Sequence, residues 1–492
     1  MTRMIVLLLT GVIAPASSAL QAETGEAFPI AANGGNEFAL AAAFDGRNYL
    51  VAICGDDRVP FAISAQLVSS TGEPVSAKVS TGRIGWLPFV AFDGMNYLLV
   101  WQDGAAWPSN VIYGQFVDTA GSLVGPPFPI SGASSYAEPS GVAFDGANYL
   151  VIWEDMQGGN NEAVYGHLVS RTGDLVGSRI RISGNSVDQN QAALAFDGNN
   201  YLVVWTDGSR LGTRRAEDIY GQFVRPSGQR VGSEFVIEQN SYSSDNTIAT
   251  TFDGSNYLVV FHDRVNGQWN IYARPVSSTG QVGPRVTISD APGNQEMPFA
   301  GFVAFDGTYY LLSMADSWGE PVVTARGRYL DTELNPVGDW FTLFEAEGAR
   351  VPFGASVLFG QSQFLAVTTR AEYTPDGDIP FRGADVYGAF IESPGDLDKD
   401  GVPNSSDNCP VVSNPGQADR DADGVGDLCD NCAYRYNPNQ PDSDRDGRGD
   451  ACECLRIIPA DLNGDCYVNW TDFAIFMSQW LECGNPSDPA CY

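Results

Sequence analysis

The chain has little positive charge and almost no histidine. Its 27 lysine and arginine residues stand against 60 aspartate and glutamate residues, which gives a net charge of −33 over 492 residues. Phosphate backbones and anionic membrane surfaces repel a chain this acidic, so nucleic acid binding is not expected. Its two histidines, His167 and His262, leave a Ser-His-Asp triad or a histidine-ligated metal site poorly supported.

Long hydrophobic runs are confined to the N-terminus. Residues 1–22 combine the basic Arg3, an apolar run over 4–13 and small residues that end at Ala19 or Ala22. This pattern predicts a secretory signal, which is too short to span a bilayer. No run of eighteen apolar residues follows it. We therefore expect a mature protein that is secreted or extracellular, either soluble outside the cytosol or held at a cell surface by another group, with no transmembrane segment.

Cysteine is almost absent from the first 408 residues. Cys54 is alone there and is predicted to be a buried, inert thiol. The other eight cysteines lie beyond residue 408. In an exported chain, this clustering indicates a C-terminal module that is stapled by disulfide bonds.

A hairpin motif recurs along most of the chain. In the copy at 196–205, an Asp-Gly turn joins two strand-like segments in the sequence Phe-Asp-Gly-Asn-Asn-Tyr-Leu-Val-Val-Trp. The phenylalanine of the motif returns at spacings of 48, 52, 52, 56, 53 and 54 residues. Its positions, the last in a degenerate copy, are Phe44, Phe92, Phe144, Phe196, Phe252, Phe305 and Phe359. Self-similarity at about fifty residues predicts a propeller or a solenoid.

Each repeat carries four predicted strands. The hairpin is followed by a third strand such as 112–117, a Ser/Thr-Gly turn and a short fourth strand such as 128–131. The seventh repeat lacks a fourth strand, whereas the segment 28–30 matches 128–130 and has no repeat of its own. We therefore predict an all-β fold for residues 23–393: a seven-bladed β-propeller closed by this N-terminal strand, with a right-handed β-solenoid as the alternative. This part of the chain resembles bacterial secreted seven-bladed β-propeller repeat proteins.

Two sets of aspartates accompany the repeats. Those of the Asp-Gly turns are interpreted as structural, because glycine supplies the positive φ that such a turn needs. The second set follows the second strand of five repeats: Asp103, Asp155, Asp207, Asp263 and Asp316. On one face of a propeller these carboxylates could bind a cation or a glycan, or they could only cap their own loops.

Composition changes abruptly after Gly395. The next 58 residues contain eight large apolar side chains, fourteen acidic residues and five basic ones. Burial of so little apolar surface cannot offset the entropy lost on ordering the chain, so another interaction must fold this segment.

The acidic residues of this segment have the spacing of calcium loops. In a twelve-residue loop, positions 1, 3 and 5 supply carboxylates, position 6 is a glycine, position 7 offers its carbonyl and position 12 closes the shell. The predicted ligands of three such loops are Asp396, Asp398, Asp400, Val402 and Asp407; Asp419, Asp421, Asp423, Val425, Asp427 and Asp430; and Asp442, Asp444, Asp446, Arg448, Asp450 and Glu453. Ca2+ is thus the predicted cofactor of residues 394–453.

The residues between the loops carry a family resemblance. The segment 407–410 reads Asp-Asn-Cys-Pro and the segment 430–432 reads Asp-Asn-Cys, and Asn-Pro follows each at 414–415 and 437–438. Residues 396–453 therefore resemble thrombospondin type 3 repeats, in which calcium ions and disulfides replace a hydrophobic core. The resemblance implies the disulfides Cys409 to Cys429 and Cys432 to Cys452, each of which should contribute about 3 kcal/mol through chain entropy.

Residues 454–492 contain a fourth loop with this spacing. Its predicted ligands are Asp461, Asn463, Asp465, Tyr467 and Asp472, and a helix follows with the apolar stripe Phe473, Phe476, Met477, Trp480 and Leu481. The module resembles half of a dockerin, although Cys466 replaces the turn glycine and no second copy is present. The resemblance implies a cohesin-type partner; alternatively, the stripe packs on its own module. Four cysteines allow three pairings here: Cys454, Cys466, Cys483 and Cys491.

Together these features predict a calcium-binding adhesion or ligand-binding protein and not an enzyme. The propeller would present a binding face toward polysaccharide or toward a surface or matrix protein, and the calcium-stiffened repeats would act as spacer or attachment. The alternative is a secreted polysaccharide-active enzyme, a glycoside hydrolase or lyase with catalytic acids in the propeller mouth. A structural spacer without a specific ligand is the third possibility.

Overall fold

The computed structural model describes most of the repeated part, much of the acidic segment and one C-terminal helix. The described residues are 24–32, 36–55, 59, 61–104, 110–132, 137–156, 162–184, 189–208, 217–241, 248–265, 268–289, 295–296, 302–316, 324–347, 350–352, 355–360, 362–372, 383–393, 398, 400, 402, 406–409, 412–442, 447–452 and 470–479. The predicted signal at 1–22 and most of the module at 454–492 lie outside them.

Regular structure in the repeated part is β-strand. After β1 (Phe28–Ala31), the first two repeats contain β2 (Phe38–Phe44), β3 (Asn48–Cys54), β4 (Ala62–Ser69), β5 (Val79–Phe92), β6 (Asn96–Asp103), β7 (Val111–Asp118) and β8 (Leu123–Pro129). The next two contain β9 (Ala137–Phe144), β10 (Asn148–Met156), β11 (Glu162–Ser170), β12 (Leu175–Arg181), β13 (Gln189–Phe196), β14 (Tyr201–Asp207), β15 (Glu217–Val224) and β16 (Arg230–Ser241). The last three contain β17 (Ile248–Phe252), β18 (Asn256–Val265), β19 (Gln268–Ser277), β20 (Val286–Ser289), β21 (Gln295–Glu296), β22 (Val303–Phe305), β23 (Tyr310–Asp316), β24 (Thr324–Leu330), β25 (Pro336–Phe344), β26 (Arg350–Pro352), β27 (Ser356–Phe359), β28 (Gln363–Glu372) and β29 (Asp385–Glu392).

The strands of each repeat pair antiparallel with their neighbours in the chain, as in the blades of a propeller. Five sheets are separate and contain four or five strands each, whereas β2 to β8 form one continuous seven-stranded sheet. The prediction of seven separate blades is therefore wrong, because the first two repeats are fused.

The long strand β5 makes this fusion. Its first half pairs with β4, up to Ile84 opposite Ala62, and its second half pairs with β6, starting at Gly85 opposite Asp103. The strand thus runs without a break from the outer edge of one repeat to the inner edge of the next. The sequence is consistent with the fusion of these two repeats, because the spacing between their phenylalanines, 48 residues, is the shortest of the six.

The N-terminal strand closes the ring, as predicted. β1 pairs antiparallel with β29, and Phe28 lies opposite Gly388. A Cβ atom on Gly388 would lie 2.6 Å from the ring of Phe28, and one on Gly114 would lie 2.9 Å from the ring of Phe128. The two Phe-Pro-Ile segments match because each packs its phenylalanine over a glycine of the third strand.

Hydrophobic clusters fill the spaces between neighbouring repeats. Each of the seven clusters among the described residues joins two consecutive repeats, and one joins the last repeat to the first through Ile30, Tyr49 and Leu365. This cyclic arrangement is that of a β-propeller and not of an open solenoid.

The Asp-Gly turns link neighbouring repeats on one face of the ring. Asp197 Oδ1 accepts hydrogen bonds from the backbone N–H groups two and three residues later, at 2.7 and 2.6 Å, and Gly198 has a φ of +92°. The Tyr201 hydroxyl donates to Asn148 O in the turn of the preceding repeat, at 3.3 Å. Equivalent bonds between repeats are made by Tyr97, Tyr149, Tyr257 and Tyr310. The structural interpretation of these turns is confirmed.

The seventh repeat departs from this pattern, and Ser393 compensates. Phe364 stands where the other repeats carry tyrosine, and the Ser393 hydroxyl donates to the buried Asp306 carboxylate of the sixth repeat. We expect Ser393→Ala to lower the free energy of unfolding by about 1–3 kcal/mol, because a buried acceptor loses its donor. Adding Phe364→Tyr should recover part of this loss. Urea unfolding would measure both effects, and a double variant no more stable than S393A would contradict the equivalence of the two hydroxyls.

Beyond Glu392, the described residues contain turns and one helix, α1 (Trp470–Gln479), but no strand. The disulfides Cys409–Cys429 and Cys432–Cys452 are present, which confirms the implied pairing. In α1, the side chains of Phe473, Phe476 and Met477 are 50, 43 and 50% exposed. Trp480, Leu481 and the rest of the module lie outside the described residues, so the packing of the stripe on its own module stays a prediction. Within the described part of the chain, no helix is long and apolar enough to cross a membrane.

Candidate calcium centres and the propeller face

The second acidic loop brings three carboxylates together. One oxygen from each of Asp419, Asp421 and Asp423 lies within 4.8 Å of the other two. These are positions 1, 3 and 5 of the predicted calcium loop. Carboxylate oxygens at this spacing are the ligands that Ca2+ prefers.

The backbone of this loop has the expected turn. Gly424 at position 6 has a φ of +95°, and its N–H donates to Asp419 Oδ2 at 3.0 Å. Asp423 Oδ1 accepts from the N–H of Val425 at 2.9 Å. Asp427 Oδ1 accepts from the N–H of Arg420 at 2.8 Å, which fastens the end of the loop to its start.

The electrostatics of this loop fit a bound cation. Asp421 Oδ2 is buried without a hydrogen-bond partner. Burial raises the pKa of Asp421, and the nearby charges of Asp423, Asp430 and Asp419 raise it further. A divalent cation would supply the missing partner and remove the repulsion among these acids.

The first loop forms a similar group. One oxygen from each of Asp398, Asp400 and Asp407 lies within 4.8 Å of the other two, and Val402 N–H donates to Asp400 Oδ1 at 2.8 Å. Asp396 lies outside the described residues. The two loops therefore present the same chemistry one repeat apart.

The third loop is described in part. Gly447 has a φ of +89°, and its N–H donates to Asp442 Oδ2 at 3.0 Å, as in the second loop. Arg448 and Asp450 are also described. Outside the described residues lie Asp444, Asp446, Glu453, Asp461, Asn463, Asp465, Tyr467, Cys454, Cys466, Cys483 and Cys491. Asp472 lies within α1.

A hydrogen-bond network connects each loop to the next disulfide. Asp430 Oδ1 accepts from the Cys432 N–H at 2.7 Å and from Gln440 Nε2 at 2.8 Å, and Asp423 Oδ2 accepts from the Asn437 N–H at 2.8 Å. The preceding repeat has the same three bonds, made by Cys409, Gln417 and Asn414. The role of the glutamines was missed from sequence, although each stands ten residues after the loop-closing aspartate. The candidate cation sites are thus connected to the disulfide-bonded cysteines through the same aspartates.

The second set of propeller aspartates is paired with basic or amide groups. Arg83 forms an ion pair with Asp103, Arg179 with Asp155 at 3.3 Å and Arg285 with Asp263 at 2.8 Å. The fourth, Asp207, accepts from Gln189 Nε2 at 3.1 Å. Nothing is described of the Asp316 side chain. The three ion pairs neutralise carboxylate charge that a cation ring would need, and the four paired carboxylates orient neighbouring segments of the sheets.

The arginines in these pairs also stack on the third strand. The guanidinium of Arg83 lies 4.3 Å from the centroid of Tyr113, and that of Arg285 lies 3.5 Å from Tyr272. Tyr113 in turn stacks on Trp101 at 6.2 Å. Arginine, tryptophan, aspartate and tyrosine from three adjacent strands therefore lie together, an arrangement that no local sequence pattern indicated.

The side chains of His167 and Cys54 make hydrogen bonds to backbone carbonyl oxygens. His167 Nε2 lies 3.4 Å from Gly177 O, and Gln115 makes the equivalent bond to Gly125 O in the preceding repeat. The thiol of Cys54 donates to Gly85 O at 3.2 Å, and burial raises the pKa of Cys54 to about 12. His167 is thus a variant of the position that glutamine occupies in the preceding repeat, and Cys54 is buried as predicted.

Glu154 is the acidic side chain with the most altered environment. Its Oε1 accepts from the Ser140 hydroxyl and from the Ala192 N–H of the next repeat, both at 3.0 Å. Burial, followed by the charge of Glu138 on the paired strand, raises the pKa of Glu154 to about 8. Glu154 is therefore largely protonated at neutral pH and bridges two repeats.

This raised pKa predicts a pH-dependent stability. The folded protein binds the Glu154 proton up to about pH 8, whereas the unfolded chain releases it near the ordinary glutamate pKa of about 4.3. The stabilisation is complete below pH 4.3 and is lost as the pH rises toward 8, by at most about 1.4 kcal/mol per pH unit. Urea unfolding at pH 5 to 9 in constant calcium should give a smaller decline for Glu154→Gln than for wild type. The exposed-residue control Glu73→Gln should follow wild type, and parallel curves for all three proteins would contradict the assignment.

Solved structures with a related arrangement share little sequence with this chain. A phage phi92 endosialidase is 8% identical to this chain and has a TM-score of 0.45. The match covers 75% of this chain and 69% of the endosialidase chain. A prolyl endopeptidase is 12% identical over 70% of this chain and 47% of its own, with a TM-score of 0.44. A puromycin-hydrolyzing peptidase of Mycobacterium tuberculosis is 11% identical over 74% and 53%, with a TM-score of 0.42. The chain spans about half the length of these two peptidases.

The acidic segment has a family match. A comparison with curated proteins finds no match. Among family models, that of the thrombospondin type 3 repeat matches residues 394–417 and again 417–440. These ranges contain the first two carboxylate groups and the first disulfide, so this part of the chain consists of thrombospondin type 3 repeats.

Proposed function

We propose that the protein is an exported calcium-binding protein whose propeller presents a ligand-binding face and whose acidic repeats form a calcium-stiffened stalk. The observation that carries the proposal is the second loop, where three carboxylates converge and Asp421 Oδ2 is buried without a hydrogen-bond partner. The matched repeat family and the two disulfides support an extracellular location.

We propose the following residues as calcium ligands. In the second loop, Asp419, Asp421, Asp423 and Asp430 supply carboxylates and Val425 its carbonyl, with Asp427 beside them. In the first loop the proposed ligands are Asp396, Asp398, Asp400, Val402 and Asp407. In the third loop they are Asp442, Asp444, Asp446, Arg448 and Glu453, with Asp450 beside them. Extracellular calcium modules bind with dissociation constants on the order of 0.1 to 1 mM, so these sites would be filled outside the cell and empty inside it.

We further propose how the stalk and the ligand-binding face are placed on the ring. The stalk would leave the ring beside the Asp-Gly turns, because Ser393 is hydrogen-bonded to the turn residue Asp306. The opposite face of the ring would then be free to bind a ligand, such as polysaccharide or a surface or matrix protein.

The C-terminal module is proposed as the attachment end. Trp470 on α1 is 82% exposed, and the described stripe residues lie on the same short helix. An exposed apolar helix face is suited to a protein partner, and the half-dockerin resemblance makes a cohesin-type domain the partner to test.

A second candidate function is a polysaccharide-active enzyme. The observation that favours it is the pair Glu138 and Glu154, two acids opposite each other on adjacent strands, where burial and the charge of Glu138 raise the pKa of Glu154 to about 8. A protonated acid beside a second carboxyl group is the requirement of glycosidase chemistry.

One experiment separates these functions. The full-length protein would be passed over a panel of immobilised polysaccharides in calcium and in chelator, and both retention and new reducing ends would be measured. Retention without cleavage supports the binding function. New reducing ends that disappear in Glu154→Gln would establish the enzyme instead. If neither retention nor new reducing ends were observed, the remaining functions would be binding to a protein partner or a spacer role. Calorimetric titration with Ca2+ tests the stalk separately, and Asp421→Asn should abolish at least one site.

A further inference from the structure

Two glutamines of the acidic repeats, Gln417 and Gln440, hold the aspartates that close the first two loops. Gln440 Nε2 donates to Asp430 Oδ1 at 2.8 Å, and Gln417 Nε2 donates to Asp407 Oδ1 at 2.6 Å. Each carboxylate stands at position 12 of its loop, where the last ligand of a calcium site is expected. Each glutamine side chain therefore contacts a proposed calcium ligand from outside the loop.

The amide group of each glutamine is fixed at its oxygen as well. Gln440 Oε1 accepts from the N–H of Asn431 at 2.7 Å, and Asn431 Nδ2 donates to Gln440 O at 3.2 Å. Gln417 makes the same pair of bonds with Asn408, at 2.7 and 3.1 Å. Because the amide oxygen is bound to a backbone N–H, the amide nitrogen is directed at the aspartate and supplies a donor of fixed orientation.

The hydrogen bonds that hold the closing aspartate use one of its two oxygens. Asp430 Oδ1 also accepts from the N–H of Cys432 at 2.7 Å. Both bonds therefore end on Oδ1, and neither occupies Oδ2. The first repeat has the same pair of bonds on Asp407 Oδ1, and one oxygen of Asp407 lies within 4.8 Å of oxygens of Asp398 and Asp400. The closing carboxylate is thus turned toward the other proposed ligands of its loop.

The backbone at both glutamines would suit glycine better. Gln417 has a φ of +49° and Gln440 has a φ of +48°. Residues with a Cβ atom rarely adopt this left-handed region, and glycine adopts it without steric cost. Glutamine nevertheless stands at this position in both repeats. The hydrogen bonds of its side chain supply a reason for this choice that glycine could not.

The third loop has no glutamine at the equivalent position in the sequence. Gln417 and Gln440 each stand ten residues after the aspartate that they contact. Ten residues after Glu453, which closes the third loop, the sequence has Asn463, a predicted ligand of the fourth loop. The arrangement therefore belongs to the first two loops.

We propose that Gln417 and Gln440 are positioning residues for calcium, each of which orients the closing aspartate of the loop before it. This inference rests on the proposed function of the acidic repeats as a calcium-binding stalk, and it adds two residues that are not themselves ligands. Partners that hydrogen-bond a metal ligand from outside influence affinity because they fix the direction of that ligand. The first two sites therefore depend on the glutamines, whereas the third does not.

Calorimetric titration of the full-length protein with Ca2+ tests the proposal. Gln417→Met and Gln440→Met keep the length of the side chain and remove its amide. We expect each to weaken one site about tenfold, the smaller of the losses found when such a partner of a metal ligand is removed. The matched control Asn439→Ala changes an exposed side chain next to Gln440 and should bind as wild type does.

Terbium luminescence separates the positioning of a ligand from general support of the fold. Tb3+ replaces Ca2+ at oxygen sites, and its lifetimes in H2O and D2O give the number of water molecules on the bound ions. In Q417M and Q440M this number should rise by about one or two, because water replaces a carboxylate that no longer reaches the ion. A purely structural role of the glutamines would not change it.

The outcomes distinguish this inference from the proposed function. Unchanged affinities in Q417M and Q440M would overturn the positioning role and leave the calcium-binding stalk in place. Weaker binding with an unchanged number of bound waters, or an equal loss in N439A, would also overturn it. Absence of Ca2+ binding by wild type would reject both the inference and the stalk sites.

A second pair of variants covers the case of a misfolded stalk. Peptide mass spectrometry shows whether each methionine variant has formed the Cys409–Cys429 and Cys432–Cys452 disulfides. If one has not, Gln417→Asn or Gln440→Asn takes its place, because the shorter side chain keeps an amide but cannot reach the aspartate. These variants should show the same loss of affinity and gain of water, and wild-type values in them would overturn the proposal.

Discussion

Chelation of calcium is expected to make residues 398–452 sensitive to proteolysis while residues 24–393 remain folded. The acidic repeats have no hydrophobic core of their own, and their carboxylates repel one another without a cation. Each site with a dissociation constant of 0.1–1 mM would contribute about 1.4–2.7 kcal/mol at 10 mM Ca2+. The propeller is held by apolar clusters between its repeats, so it should not respond.

Limited proteolysis with mass spectrometry measures this difference. In chelator, new cleavage sites should appear between 398 and 452, and a fragment that ends near Ser393 should accumulate. Asp421→Asn should show partial sensitivity even in calcium, and the propeller control Glu73→Gln should not. An identical cleavage pattern of wild type with and without calcium would refute the calcium-stiffened stalk, and loss of the propeller fragment would contradict the independence of the two parts.

Deletion of residues 24–32 is expected to lower the free energy of unfolding by about 5 kcal/mol or more. Removal of a buried isoleucine side chain alone costs about 2–5 kcal/mol, and this deletion removes Ile30, the Phe28 contact with Gly388 and every β1 hydrogen bond. It also exposes β29 as an open edge and breaks the cluster that joins the last repeat to the first. Urea unfolding followed by tryptophan fluorescence would measure the loss.

Two controls isolate the closing function of β1. Ile130→Ala removes a buried isoleucine at the position in β8's repeat that matches Ile30, without opening the ring, and should cost less than the deletion. A synthetic peptide of residues 24–32 added to the deleted protein should restore stability in a concentration-dependent way, since its contacts are then intermolecular. A deletion that costs no more than I130A, or a peptide without effect, would show that the ring does not depend on this strand.

The repeated strands and turns of the propeller follow from local chemistry. Continuous runs of β-branched and aromatic residues specify the buried second strands, and the Asp-Gly pair specifies the turn because glycine tolerates φ values near +92°. The match between 28–30 and 128–130 was enough to place the closing strand, since a strand without a repeat needs an edge to pair with. The calcium loops could be predicted for the same reason, because all ligands of one loop lie within twelve residues.

The fusion of the first two repeats could not be predicted with equal ease. A strand that ends one sheet and begins another has the same residue pattern as two separate strands. The continuous strand pairing across Ile84 and Gly85 in the structure is what distinguishes one shared strand from two separate strands. The spacing of 48 residues indicates the fusion only when it is compared with the longer spacings of the other repeats.

The partners of the propeller aspartates could not be predicted from the sequence either. An aspartate after the second strand is compatible with a cation ring, a glycan site or loop capping. The positions of Asp103 and Asp263 in the sequence therefore do not distinguish these three roles. The arginines that neutralise them come from other strands, 20 residues earlier for Asp103 and 22 later for Asp263. Residue order along the chain therefore accounts for strands, turns, calcium loops and ring closure, because each depends on near neighbours or on a repeated match. Charge pairing and the shared strand emerge only when distant strands are packed side by side.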